Sequence, residues 1–541
     1  MLGEQRRGVR VRSWASRMML VVALLTLLGT MHRRPWRSAL ALCNMILPEG
    51  HVATRASLLL TAILLLVVAR GLRRGHRLAW AGTIGLLGLA ALLHLAHPYG
   101  VPPAVLVGAG AIWLVTKRRA FPVLPSRSEL LRGVLIVMVG VLTIGAIVGL
   151  LALLAGTTPA DRAQVRSAAR LVSIVLAGVF VVVLLWSLTS PRRRRLGPGR
   201  TAHLADRERA RAVVRRHGGG TLDYFALRDD KEWFFVADTI VAYAVRSGVC
   251  LVSPDPIGPP EQRAQAWAEF RDFATGYGWS LAVIGASAAW VPVYEASGLR
   301  AVYLGDEAIV DCASFSLEGR ERKSLRQTIN RVVNCGYVTT FHTPDQGEAD
   351  VRAQIGQIAA ESRRRTVESG FSMTLSRLFD PHDDDLLLSV TRTAVGRVDA
   401  FCQWAPATAA HGWSLDVMRR RLDVPDLPNG LMDFTVARTI QEVARRGGQG
   451  LGLNFAVMRE VLEGRRDSRW DPLLRPVLQR LSEQTQISSL ANYNEKFDPA
   501  WVPRYIVLDA AEFVATQALA MAGAEGVTEL PVVGRFLGGR A

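Results

Sequence analysis

The chain has 541 residues, a formal net charge of +18 and a sequence pI near 10.5. Because an ordinary domain holds roughly 150 residues, this length excludes a single small domain. The five cysteines form no CxxC pair, which argues against a zinc ribbon or a disulfide framework. The basic excess indicates a polyanionic partner, either anionic lipid or nucleic acid.

The first third of the chain is built for a lipid bilayer. Up to about residue 190 it is dominated by Leu, Val, Ala and Ile, with charges only in short clusters. A transmembrane helix needs roughly 20 apolar residues, so the apolar runs predict an α-helical bundle of about six spans. The runs cover residues 17–30, 56–69, 78–95, 101–115, 130–155 and 167–189.

The loops between these runs predict the orientation of the bundle. Basic residues concentrate in "RGLRRGHR", "KRRAFPVLPSR" and "PRRRR", which the positive-inside rule places in the cytoplasm. Only the loop 31–55, with Arg33, Arg34 and Arg37, breaks the pattern. A signal peptide is the alternative for the first run, but no small-residue cleavage site follows it. We expect a multi-pass plasma-membrane protein whose N-terminus and C-terminal part are both cytoplasmic.

After the linker "SPRRRRLGPGR" the pattern changes to short β-type runs alternating with amphipathic helices. The pattern occurs twice at a spacing near 150 residues, which indicates two similar α/β units. Helices are predicted at 205–217, 260–275, 288–296, 318–333, 350–368, 432–446 and 471–483. We place the transmembrane domain at 1–195, the first unit at 196–335, the second at 336–525 and a tail at 526–541.

The stretch "FSLEGRERKSLRQTINRV" joins the two units as a predicted helix with two faces. Leu325, Ile329 and Val332 follow helical spacing on the apolar face. The opposite face carries Lys323, Arg326 and Asn330, and a basic face of this kind is suited to binding phosphate. A solvated basic surface is the alternative interpretation.

Three further stretches carry candidate site residues. In "WSLDVMRRR", Asp416 and Arg419 lie at i and i+3, the spacing of neighbours on a helix. In "PNGLMDF", Asp433 stands at the start of a helix, where a carboxylate favours the helix dipole. Lys496 and Arg504 lie in "YNEKFDPAWVPRYIVL" among aromatic residues.

Six motifs in this order resemble the aminoacyl-phosphatidylglycerol synthases, the multiple peptide resistance factor family. They are "GVCLVSPDPIGPP", "FSLEGRERKSLRQTINRV", "GWSLDVMRRR", "PNGLMDF", "GLNFAVMREV" and "NEKFDPAWVPRY". The resemblance covers roughly residues 200–525.

The resemblance implies tandem GNAT-like acyltransferase domains that move an amino acid from its tRNA to the glycerol hydroxyl of phosphatidylglycerol. Lysine is favoured and alanine stays open. The product lowers the negative charge of the membrane surface and gives resistance to cationic peptides. We predict catalytic roles for Asp416, Asp433 and Lys496, and substrate binding by Lys323, Arg326, Asn330, Arg419 and Arg504.

The expected partners are charged tRNA from a separate synthetase, phosphatidylglycerol and membrane lipid. A homodimer stays open. We expect no metal and no cofactor, because exchange of one ester for another requires positioning and oxyanion stabilisation. Two features depart from the family: Asn494 stands where many members carry a lysine, and six spans replace the roughly fourteen of large members.

Other functions remain open from the sequence. "RRGGQG" at 445–450 fits the R-x-x-G-x-G loop of acetyl-CoA-dependent acyltransferases, although its position after a helix favours Gly447 or Gly448 as a helix C-cap. The lipid acceptor could also be diacylglycerol. A non-enzymatic transporter or sensor would need ionisable residues within the spans, and the last two runs contain only Arg132 and Arg170 near their ends.

Overall fold

A computed structural model describes most of the chain as two compact units. It describes residues 2–31, 55–95, 101–125, 127–153, 172–173, 176–188, 200–344, 348–365, 370–424, 427–457, 487–509 and 514–525. One unit comprises Met1–Arg194 and Arg271–Ser280, and the other Arg195–Phe270 and Leu281–Ala541. The predicted helix 471–483 and the tail 526–541 lie outside the described residues.

The N-terminal unit consists of helices at the positions of the predicted spans. They are α1 (Leu2–Met31), α2 (Arg55–Arg73), α3 (Arg77–Leu95), α4 (Val101–Thr116) and α5 (Arg127–Leu153). Within the described residues one helix, Glu129–Leu151, is long and apolar enough to cross a membrane, and Val107–Thr116 and Leu176–Leu188 are shorter apolar helices. The count of six spans therefore stays a prediction.

The C-terminal unit is a mixed α/β structure. Its helices are α6 (Arg200–His217), α7 (Arg263–Gly276, shared with the first unit), α8 (Val291–Ala296), α9 (Lys323–Asn334), α10 (Ala349–Arg365), α11 (Leu431–Arg445), α12 (Ile487–Glu495) and α13 (Val514–Ala524). Its strands are β1 (Glu232–Val236), β2 (Thr239–Arg246), β3 (Val249–Val252), β4 (Ser280–Ser287), β5 (Arg300–Asp311), β6 (Val338–His342), β7 (Leu387–Arg392), β8 (Val398–Ala407), β9 (Gly412–Arg420), β10 (Gly450–Val457) and β11 (Ala500–Leu508).

The described strands form one continuous sheet in the order β1-β2-β3-β4-β11-β5-β10-β9-β8-β7-β6. The first five strands in sequence build one half, and the next five build the other. The last strand, β11, crosses back and pairs antiparallel with both β4 and β5 of the first half. The two halves are thus joined by backbone hydrogen bonds.

In the second half, helices cover both faces of the sheet. One face packs α9 and α11 against a core that includes Leu325, Phe434, Trp404 and Leu451. On the other face, α10 packs against β7 and β8. This follows from strand geometry, since successive side chains point to opposite faces.

Several elements differ from the sequence prediction. The joining helix begins at Lys323 and not at residue 318, because Gly319 takes a left-handed φ of +89° that ends any helical run there. Within the run 392–398, predicted as a strand, residues 393–397 form the turn between β7 and β8, in which the Thr393 amide donates to the Arg397 carbonyl at 3.0 Å. The predicted runs at "AVYLG" and "EAIVDC" form the single strand β5.

The apolar face of α9 is confirmed, since Leu325, Ile329 and Val332 are buried. We expect Ile329→Ala to lower the free energy of unfolding by about 2–5 kcal/mol, because it leaves a cavity beneath the helix. Thermal unfolding of the full chain in detergent micelles measures the loss. Gln327→Ala, an exposed position on the same helix, is the control and should change stability by about 0.5 kcal/mol or less. Equal losses in both variants would contradict the packing.

Candidate active site

The carboxylate of Asp433 lies at the start of α11, as predicted. The Pro-Asn-Gly turn ends at Gly430, whose φ of +90° suits glycine, and Asp433 stands in the first helical turn. A Cβ at Gly430 would come within 1.9 Å of the Thr328 side chain, so glycine is also needed for the close approach of α9. The geometry therefore fixes Asp433 beside the joining helix.

The Lys496 ammonium meets this carboxylate. Its Nζ lies 2.9 Å from Oδ2 and 3.2 Å from Oδ1 of Asp433. The Asp433 side chain is 10% exposed, whereas that of Lys496 is 45% exposed. The Tyr493 ring lies 5.0 Å from the ammonium, and burial raises the pKa of this phenol well above its usual value, so it stays neutral. The pair thus combines a buried carboxylate with an ammonium open to solvent.

Arg322 supports the turn that carries Lys496, and sequence reasoning missed it. Its Nη1 donates to the Lys496 carbonyl at 2.7 Å, and its Nη2 lies 2.9 Å from the Asp498 carboxylate. Placing the helix start at residue 318 put Arg322 inside the helix, whereas it is the residue that precedes α9. The sequence did offer one indication of a role for Arg322, namely its place directly before Lys323 in a run of basic residues.

The three residues predicted on the basic face have different surroundings. The side chains of Lys323 and Asn330 are exposed and make no hydrogen bond or ion pair within the described part of the chain. The Arg326 guanidinium instead donates to the carbonyls of Leu317 and Gly319, the latter at 3.1 Å. Arg326 therefore supports the preceding loop, and Lys323 is the cation on this face that is available to a ligand.

Asp416 lies on strand β9, so its predicted helical relation to Arg419 is wrong. Asp416 lies at a β-bulge, because Leu415 and Val417 pair with the consecutive residues Trp404 and Gln403 of β8. The Leu375 amide donates to Oδ1 of Asp416 at 2.8 Å, and Nε2 of Gln403 donates to Oδ2 at 2.6 Å. Burial raises the pKa of Asp416 to about 6. Arg419 donates from Nη1 to the Met418 carbonyl at 3.0 Å.

The structure does not join Asp416 to the Asp433–Lys496 pair. Cys402 and Trp404 of β8 pack in the core that includes α11, so Gln403 between them, together with the Asp416 carboxylate that it contacts, lies on the other face of the sheet. No hydrogen bond or ion pair among the described residues links Asp416 with Asp433 or Lys496. The three predicted catalytic residues therefore form one pair and one separate buried carboxylate.

Strands β9 and β10 are parallel, and their described pairing ends close to Asp416. It covers Trp413 with Leu451 and Ser414 with Gly452. Asp416 follows Ser414 two residues later on β9.

Arg504 belongs to a different, buried cluster. It lies on β11, and its Nε and Nη2 contact Oε2 of Glu307 at 2.9 and 2.6 Å, while Nη2 also donates to Thr221. Glu307 is on β5 of the first half. Burial alone would lower the pKa of Arg504, but the Glu307 charge raises it, so the guanidinium stays charged. The predicted substrate-binding role of Arg504 stays a prediction.

The sequence 445–450 is a helix end and not a pyrophosphate loop. Helix α11 ends at Arg445, Gly447 takes a left-handed φ of +80°, and the Gly448 amide donates to the Val443 carbonyl at 2.9 Å. The next element is strand β10. The predicted helix C-cap at Gly447 is confirmed. Within the described residues, no group of three or more His, Cys, Asp or Glu could hold a metal ion.

The family model described as "Phosphatidylglycerol lysyltransferase, C-terminal" matches residues 211–508. The chain belongs to this family. The match confirms the resemblance predicted from the six motifs, and it includes α9, Asp416, Asp433, Lys496 and Arg504.

Named relatives agree with this membership. The chain is 35% identical over 339 residues to the lysylphosphatidylglycerol biosynthesis bifunctional protein LysX of Rhodococcus jostii, covering 61% of this chain and 30% of the relative. It is 35% identical over 332 residues to the LysX protein of Mycolicibacterium vanbaalenii, covering 60% and 30%. The chain thus spans about a third of the length of the curated relatives that it matches.

Two solved structures have the same fold as the C-terminal part. One is L-PGS from Bacillus licheniformis, with a TM-score of 0.52, 23% identity and coverage of 59% of this chain and 96% of that one. The other is the C-terminal domain of a putative lysylphosphatidylglycerol synthetase from Agrobacterium fabrum, with a TM-score of 0.50, 24% identity and coverage of 60% and 97%. The C-terminal part therefore has the fold of these synthetase domains, and the tandem GNAT-like division and the unit boundaries stay predictions.

The Arg504–Glu307 and Lys496–Asp433 ion pairs should differ in their contribution to the stability of the protein. Arg504→Met leaves the Glu307 carboxylate buried without its partner, and we expect a loss of about 3–5 kcal/mol. Lys496→Met should cost about 1 kcal/mol, because the half-exposed ammonium retains water and the helix start favours the remaining Asp433 carboxylate. Thermal unfolding of both variants in detergent compares them. A larger loss for Lys496→Met would contradict the assignment of Arg504 as the structural member.

Asp416 should make stability depend on pH. Because its pKa is raised from 3.8 to about 6, the folded state binds this proton more tightly than the unfolded state. Its contribution is therefore fully present below about pH 4 and is lost as pH rises to about 6. Asp416→Asn cannot ionise, so its melting temperature should fall less than that of the wild type between pH 4 and 6. Parallel curves would show that Asp416 ionises normally.

Proposed function

We propose that the chain is a membrane aminoacyltransferase that moves an amino acid from aminoacyl-tRNA to the glycerol hydroxyl of phosphatidylglycerol. Lysine is the favoured amino acid, and alanine stays open. Family membership over residues 211–508 supports the reaction class, and the names of the LysX relatives favour lysine. The observation that carries the proposal is the Asp433–Lys496 pair, which presents a positively charged group at the surface of an acyltransferase fold.

The reaction exchanges one ester for another. The lipid hydroxyl oxygen attacks the carbonyl carbon of the aminoacyl ester, and a new ester bond forms. The bond from that carbon to the tRNA ribose oxygen breaks, and the proton of the lipid hydroxyl ends on the ribose oxygen. The negative charge develops on the carbonyl oxygen in the transition state, so a fixed donor at that point lowers the barrier.

Lys496 can supply this donor. Its ammonium is accessible, and the buried Asp433 carboxylate holds it in place with two contacts. Asp433 thus acts through Lys496 as a positioning residue. Asp416, with a pKa of about 6, is ionised at neutral pH and is a stronger base than an ordinary aspartate, which suits proton transfer or binding of the amino acid's ammonium group.

Both substrates carry phosphate, and the cations beside the pair suit them. Lys323 is exposed at the start of α9, one residue after Arg322, which contacts the Lys496 turn. Lys and Arg bind phosphate by charge and by hydrogen bonds. Charged tRNA from a separate synthetase and anionic lipid are therefore the proposed partners, and a homodimer stays open. The reaction requires no metal or redox cofactor.

The N-terminal unit would hold the catalytic part near its lipid substrate. Six spans, with the N-terminus and the C-terminal part in the cytoplasm, agree with the basic loops. In helix Glu129–Leu151 only 6% of the most apolar stretch is buried against other parts of the protein, as expected for a helix that faces lipid tails. The cationic product would reduce the negative charge of the plasma membrane and weaken the binding of cationic peptides.

Lipid analysis tests the function directly. The chain is expressed in a host that contains phosphatidylglycerol but no aminoacyl lipid, and the extracted lipids are analysed by mass spectrometry. We expect a new lysyl adduct of phosphatidylglycerol. Lys496→Met should reduce its rate of formation by about 10²–10³-fold, the usual effect of removing an oxyanion donor, and Asp433→Asn should also reduce it.

Glu442→Gln is the matched control, since Glu442 lies on the same helix as Asp433 but at the other end. It should keep normal activity. An alanyl adduct, or an adduct of diacylglycerol, would change the substrate and keep the reaction class. The absence of any adduct from a well-expressed chain supplied with charged tRNA would remove the proposal.

A further inference from the structure

The segment of residues 371–386 contains no helix or strand, and it holds the Asp416 side chain in place. One link to Asp416 is direct, and a second passes through Gln403. The Leu375 amide donates directly to Oδ1 of Asp416. Nε2 of Gln403 donates both to Oδ2 of Asp416 and to the Arg377 carbonyl, at 2.6 and 3.0 Å. The position of Asp416 therefore depends on the backbone between Leu375 and Arg377.

This backbone is held in an unfavourable conformation. Ser376 and Phe379 have φ angles of +55° and +59°, in the left-handed region that non-glycine residues rarely adopt. Such residues keep this conformation only where surrounding contacts fix it. A segment without regular structure thus needs an external anchor.

Arg377 and Asp383, both within the segment, form an ion pair through which the segment is attached to its surroundings. Nε and Nη2 of Arg377 contact the two carboxylate oxygens of Asp383 at 2.6 and 3.1 Å. Nη1 of Arg377 donates to the Leu227 carbonyl at 2.8 Å. The Asp383 side chain is 1% exposed, so the ion pair is shielded from solvent. The planar guanidinium fixes both the distance and the orientation of the segment.

Asp383 also fastens the segment to the first half of the protein. Nη1 of Arg211, on α6, lies 2.6 Å from Oδ1 of Asp383, and the Tyr224 hydroxyl donates to the same oxygen at 3.1 Å. Burial alone would raise the pKa of Asp383, but Arg377 and Arg211 hold it below its usual value. Asp383 is therefore a buried carboxylate shared by two guanidinium groups.

We propose that Asp383 is a positioning residue: through Arg377 and the backbone of residues 375–377 it sets the place of Asp416 in aminoacyl transfer. Asp383 itself touches no substrate in this assignment. The inference rests on the proposed function, because it assumes that Asp416 takes part in the transfer. It also implies that α6, the first described helix after residue 194, helps to hold Asp416 in place, because Arg211 of this helix contacts Asp383.

Two readouts on the full-length protein in detergent test this role. Hydrogen exchange, followed by mass spectrometry of peptides covering residues 371–380, reports whether the segment stays anchored. The kcat and KM for phosphatidylglycerol report whether Asp416 stays in place. We expect Asp383→Asn to speed exchange at the Leu375 amide and to lower kcat by about 10- to 100-fold with little change in KM.

Asp385→Asn is the matched control, because it also removes one negative charge and lies two residues from Asp383. The Asp385 side chain is half-exposed and pairs with Arg215. It should behave as the wild type in both readouts. Gln403→Met is the second variant should Asp383→Asn fail to fold, since it removes the bridge to Asp416 at similar volume. It should lower kcat in the same way.

Identical behaviour of Asp383→Asn and Asp385→Asn would overturn the proposal, and so would faster exchange with an unchanged kcat. The two hypotheses fail differently. If the wild-type chain forms no aminoacyl lipid, the proposed function is overturned, whereas the exchange comparison does not depend on activity and still decides whether Asp383 anchors the segment.

Discussion

The insertion of β11 between β4 and β5 is the constraint on which the C-terminal part depends. A strand from the end of the second half completes the sheet of the first half, so neither half has a full set of strand pairs alone. The chain must pass from α12 to β11 to reach that place, and Lys496 lies on the way. Eight residues later, Arg504 meets Glu307 inside the first half. The crossing that joins the halves therefore also delivers Lys496 to Asp433.

The charged pairs of the sheet fall into two kinds, which differ in exposure. Arg504 with Glu307 and Arg377 with Asp383 are shielded on both sides, and such pairs fix geometry because neither charge tolerates the loss of its partner. The Asp433–Lys496 pair is shielded only at the carboxylate. A ligand can compete for the ammonium without unfolding its surroundings. Exposure at one end is thus the physical property that distinguishes the proposed site from the buried ion pairs that support it.

Local sequence was sufficient for some of these features. The Pro-Asn-Gly turn and the apolar spacing after it predicted α11 and the place of Asp433, because a helix start is a local event. The apolar face of α9 followed from the same reasoning. Strand β9 could not be predicted from local sequence. A half-buried strand alternates buried apolar and exposed polar residues, but in β9 the consecutive residues Leu415 and Asp416 are both buried. The partners of Asp416 and Asp383 could not be predicted either: Leu375 is 41 residues from Asp416, and Arg211 is 172 residues from Asp383.

The net charge shows why composition alone does not identify a binding site. A charge of +18 indicates an anionic partner, but it gives no information about which cations remain available. In the C-terminal part, Arg211, Arg377 and Arg504 are each committed to a carboxylate of the protein, and Arg326 to backbone carbonyls. Lys323 and the outer side of Lys496 remain exposed, close to the turn that Arg322 fastens. The proposed phosphate binding thus depends on cations that the fold leaves exposed, close to the place where the crossing strand brings the second half back to the first.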